Sequence, residues 1–65
     1  MNEEKRCEIE RLAADANDKR MRYEAKRMMN TPSEPEARKA AAVEYALAKR
    51  EMIEANRALE DALNA

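Results

Sequence analysis

The sequence predicts an all-α protein, an antiparallel two-helix hairpin with a coiled-coil-like seam, and three observations carry that prediction. The 65 residues include no glycine, and 42% of them are charged. Alanine, glutamate, arginine, lysine and methionine dominate, all strong helix formers, while Val, Ile and Thr are scarce and Phe and Trp are absent. Second, Tyr45, Met52 and Leu59 recur every seven residues, and Ala41, Ala48, Ala55 and Ala62 recur between them. The resulting spacings of four and three mark one face of a long helix as a seam. Third, breakers occur only around Pro32 and Pro35, near the middle of the chain.

Helix one is expected over about 3–29. Asn2 is a good cap, and Glu3 and Glu4 face the positive end of the helix dipole. Asp15 with Lys19 and Asp18 with Arg22 are acid-before-base pairs one turn apart, each contributing a few tenths of a kcal/mol. Lys26 and Arg27 suit the last turn, Asn30 tolerates a left-handed cap, and Thr31, preceding a proline, is pushed away from helix.

The turn is placed at about 30–33. Thr31 with Glu34 and Ser33 with Glu36 form overlapping capping boxes, of which Ser33 is the favoured cap, and Pro35 suits the first turn. Helix two then runs over about 34–64. Folding the chain about Pro32 sets Ile9 near Ala55, Leu12 near Met52, Ala16 near Ala48, Lys19 beside Tyr45 and Tyr23 near Ala41. In that register large residues mostly meet small ones over a hairpin roughly 40 Å long.

A chain of this length is one domain, and it buries only about 60% of the surface its unfolded form exposes. A seam of alanines is poor compensation for ordering so many residues. Further apolar residues point away from the seam: Cys7, Ala14, Met21, Ala25 and Met28 on helix one, with Met29 at the edge, and Val43, Ala46, Leu47 and Ile53 on helix two. Met21, Met28, Val43, Leu47 and Ile53 are therefore the candidate protein interface. The simplest occupant is a second copy, giving a homodimeric four-helix bundle in which these stripes become shared core, and another protein is the further partner expected. Met-rich faces adapt readily to varied partners.

Catalysis is not expected. With no histidine the commonest general base and metal ligand is missing, and without glycine no phosphate-cradling loop can form. No cofactor and no metal is predicted; carboxylates one turn apart, as in Glu4 and Glu8, read as a solvated face. Cys7 reads as a small apolar member of the outer stripe, with no base or orienting group beside it. Its being the only cysteine points to a reducing cytoplasm, and neither a membrane span nor a secretory leader is apparent.

The formal net charge is −1, yet charge is unevenly spread. Lys19, Arg20, Arg22, Lys26 and Arg27 cluster towards the turn, and acids dominate the open end. Those five cations make RNA or DNA binding the alternative function, set against few aromatics for base stacking. The leading expectation is a non-enzymatic regulator, adaptor or inhibitor acting by protein–protein contact.

Overall fold

The computed structural model describes residues 2–65, which form two helices, α1 (Glu3–Met28) and α2 (Pro35–Asn64), packed against each other as a hairpin. The Cα envelope measures 52 × 15 × 12 Å, a slab two helices wide and one helix thick.

Asn2 caps α1 as its sequence position suggests: the side-chain Oδ1 accepts from the Lys5 amide at 2.8 Å. The far end differs from expectation. Helix ends at Met28, Met29 leaves it in extended geometry (φ −72°, ψ 142°), and no described residue takes the left-handed conformation allotted to Asn30. The start of α2 is a second correction. Glu34, not Ser33, is the N-cap, with no side-chain capping bond. Pro35 at the first helical position explains this, because it forces the residue before it into extended geometry (φ −74°, ψ 131°) and so delays the helix by one residue past Ser33.

The inward rows are those the periodicity marks. On α1 they are Ile9, Ala16 and Tyr23 beside Lys5, Leu12, Lys19 and Lys26; on α2, Tyr45, Met52 and Leu59 beside Ala41, Ala48, Ala55 and Ala62. All are buried or half-buried. Among the described residues, only Ala16, Ala48 and Ala55 fall to 9% exposure or below, so the deepest part of the core consists of alanine methyl groups.

The register along that seam is corrected by one helical turn. Tyr23 meets Tyr45, not Ala41: the phenol oxygens are 3.1 Å apart and the ring centroids 5.4 Å. Lys26 pairs with Glu44 at 3.0 Å, and the Lys5 ammonium donates to the Ala65 carbonyl, both in the same shifted register. Continued by helical rise, it sets Leu12 level with Ala55 and Ala16 level with Met52, large against small, but Ile9 level with Leu59, large against large as at Tyr23 and Tyr45. Lys19 turns its ammonium to Asp15 at 3.1 Å.

The connection explains the shift. Residues 29–34 carry the chain past the end of α1, with Met29 and Glu34 in extended geometry, so the first turn of α2 overhangs by about five residues, roughly 7 Å at 1.5 Å per residue. Arg38 Nε closes the connection by donating to the Pro32 carbonyl at 3.4 Å, with Pro32 and Ala37 half-buried beneath it.

Candidate protein-interaction surface

Once the inward rows of both helices are fixed, every other residue has a place on the slab. Residues half a turn from the seam form its two outer edges; residues flanking the seam form its two broad faces. Cys7, Ala14, Met21 and Met28 lie seven apart on the α1 edge, and Val43 lies on the α2 edge. Leu47 leans from that edge into a groove on one broad face, shared with Arg22, Ala25, Lys26 and Glu51. Ile53 leans the other way, beside Asn56 and Leu63.

All five candidate interface residues are in solvent: Met28 is 84% exposed, Met21 60%, Val43 59%, Leu47 53% and Ile53 45%. Met29 and Leu63 join them, and Leu63 is the one that periodicity did not single out. A signal for it exists: Leu59 occupies the seam, which turns Leu63, one turn on, towards the flank. The structure does not bring the two stripes together. Met21 and Met28 are on one edge and Val43 is on the opposite one, so a single packing of two hairpins cannot merge both into one shared core.

The amount of open surface is large for the mass. A compact chain of 7.5 kDa exposes about 4,250 Å² by the usual scaling, whereas this hairpin exposes 5472 Å². The excess reflects its being one layer thick, with no second layer to cover either face.

The five cations considered for nucleic acid are also divided. Arg20 and Arg27 flank the seam on one broad face, Arg22 is on the other, and Lys19 and Lys26 lie in the seam row itself. Four have polar partners within the chain: Lys19 with Asp15, Arg20 with Asn17 Oδ1 at 2.8 Å, Arg22 with Asp18 at 3.4 Å, and Lys26 with Glu44. No continuous track for a phosphate backbone results. Among the described residues, no group of three or more His, Cys, Asp or Glu side chains is placed to hold a metal ion, and no helix is long and apolar enough to cross a membrane.

No protein-family model, curated protein sequence or solved structure matches the chain. The site is therefore read from its own chemistry.

Charge is unevenly shared between the broad faces: acids predominate on the side where Arg22 and Lys26 share a groove with Glu44 and Glu51, and arginines on the other, where Glu10 pairs with Arg6 and Glu60 lies beside Leu63. Glu8 and Asp15 on α1 and Glu44 and Glu51 on α2 flank the seam on one side, with Asp18, Glu54 and Asp61 next to them. Arg6, Arg20 and Arg27 on α1 and Lys49 on α2 flank it on the other. The lysines of the seam row lean to the acidic side, as the Lys19–Asp15 and Lys26–Glu44 pairs show. The hydrogen bond to Tyr23 raises the Tyr45 phenol above its ordinary value, aided by partial burial and by the neighbouring phenol's charge, with Arg27 pulling weakly the other way.

Proposed function

We propose that this hairpin is a non-enzymatic protein that works by protein–protein contact, as a small regulator, adaptor or inhibitor, with a second copy of itself as the first partner. One observation carries the reading. Among the described residues, seven large apolar side chains stand in water, while no large side chain is fully buried. Burial of such side chains contributes about 25 cal/mol per Å² of apolar surface, and a single layer of two helices leaves much of that contribution unrealised. A four-helix bundle that joined every member of both apolar stripes in one core is not part of the proposal, because Met21 and Met28 lie on one edge, Val43 on the other, and Leu47 and Ile53 on opposite broad faces. The lone, exposed Cys7 suits a reducing compartment, and the cytoplasm is the location proposed.

Sedimentation of the full chain and of Met21→Glu and Ile53→Glu tests this. The wild type is expected to sediment above monomer mass. At least one substitution should lower that mass while circular dichroism shows the helices retained. Monomeric wild type at all accessible concentrations would remove the second copy as partner.

A further inference from the structure

We infer that copies of the chain associate broad face to broad face, the acidic side of one hairpin lying on the arginine-bearing side of the next. The inference rests on the self-association proposed above and specifies its geometry. Two-fold pairing through a broad face brings like surfaces together, because an isologous interface uses the same patch on both subunits. Here that sets a mainly acidic face, in which Glu44 and Glu51 outnumber Arg22, against the same face of its partner, or the face of Arg20 and Arg27 against its copy, and an excess of like charge across an interface opposes association. Head-to-tail stacking sets opposite charges together instead.

The two faces match in spacing as well as sign. Arg20 and Arg27 are seven residues apart on one side, as are Glu8 and Asp15, and Glu44 and Glu51, on the other. Each interval is about 10.5 Å of helix, so the rows repeat at the same pitch. Each face also offers apolar contact: Leu47 with Ala25 in the groove lined by Arg22, Lys26, Glu44 and Glu51, and Ile53 with Leu63 on the other side. A broad face of 52 × 15 Å is close to the roughly 800 Å² per partner of a standard specific interface. Because the contact is heterologous, each copy keeps one unlike face free, and assembly continues with concentration.

Charge reversal with cross-complementation tests the geometry. Arg20→Glu with Arg27→Glu makes both broad faces acidic. Glu8→Lys with Glu51→Lys puts cations in place of two of the acids that flank the seam on the other face, and among the described residues neither glutamate is in an intramolecular ion pair. Sedimentation velocity is run on the wild type, each variant and an equimolar mixture of the two variants, with helicity checked by circular dichroism. Wild type is expected to form species above monomer that shrink as salt rises from about 0.01 to 0.1 M, where the screening length falls from roughly 30 to 10 Å. Each variant alone should be monomeric, and the mixture should recover association. If a double variant loses helicity, the single changes Arg27→Glu and Glu51→Lys replace it. Association by wild type that survives both reversals, or a mixture that fails to restore it, overturns the face-to-face geometry and leaves self-association standing. Monomeric wild type overturns both.

Discussion

α1 and α2 present different chemistry to the same seam. α2 offers an unbroken apolar row, with Tyr45, Met52 and Leu59 alternating with alanines. α1 offers Lys5, Lys19 and Lys26 on one of its two rows. The lysine stems fill space beside the alanines while each ammonium reaches the flank, to Asp15, to Glu44 or to the Ala65 carbonyl. α1 thus gives up apolar burial and gains direction, because its charges have partners on only one side of the slab. The helix starts differ in the same sense: a side chain caps α1, whereas proline geometry alone begins α2.

The largest expected effect breaks the alanine row of α2. Ala48→Leu should cost about 1–3 kcal/mol by overpacking, since Ala48 is only 9% exposed between the helices. The same change at exposed Ala46 should leave the melting temperature nearly unmoved. Equal melting temperatures for the two would mean the helices do not approach closely at Ala48.

Next in size, Lys19→Leu makes α1 resemble α2. Its half-buried position should then contribute about 1 kcal/mol more by apolar burial, less a few tenths for the lost pair with Asp15, and raise the melting temperature. A fall would show that the ammonium, not the stem, matters to the seam.

The two helix starts give a smaller contrast. Asn2→Ala should cost up to about 1 kcal/mol by leaving the Lys5 amide without its partner, whereas Ser33→Ala should change nothing measurable. A loss at Ser33 comparable to that at Asn2 would restore the capping box that the residue pattern suggests.

The smallest effect on stability, and the most local, is at the point where the helices meet through hydroxyls. Tyr23→Phe removes the bond that raises the Tyr45 phenol, so the tyrosinate absorbance of Tyr45 should appear at lower pH than in the wild type. Because the folded value is raised, the protonated phenol favours the folded state. That contribution is fully present below the unfolded value near 10 and is lost as pH climbs through the folded one. Wild type should therefore lose stability more steeply than the variant above pH about 10. Coincident titrations would show the two hydroxyls do not interact in solution.

Several of these features are legible in the residues themselves. The cap at Asn2 follows from one side chain, and the salt pairs of α1 from spacing. The outward placement of Met21, Met28, Val43, Leu47 and Ile53 follows from helical period alone. Ser33 resembles a cap because two capping signals overlap, and only the backbone before Pro35 chooses between them. The five cations resemble one patch because they are close along the chain, but proximity along a helix is not proximity on a face. Arg20 and Arg22 are two residues apart and on opposite sides of the slab.

Composition and period by themselves determined that there are two helices, where they break, and which stripe of each turns inward, because those are properties of a single helix and its caps. The register, the two edges and the charged faces were decided only when the helices packed. Sliding α1 by a turn along the alanine-lined face of α2 keeps the same rows turned inward, so period leaves the choice open, even though the slide sets Tyr23 against Tyr45. The connection and the Tyr23–Tyr45 contact make it, and the pairing then places most flanking acids on one side with Arg22 among them, and Arg6, Arg20 and Arg27 on the other.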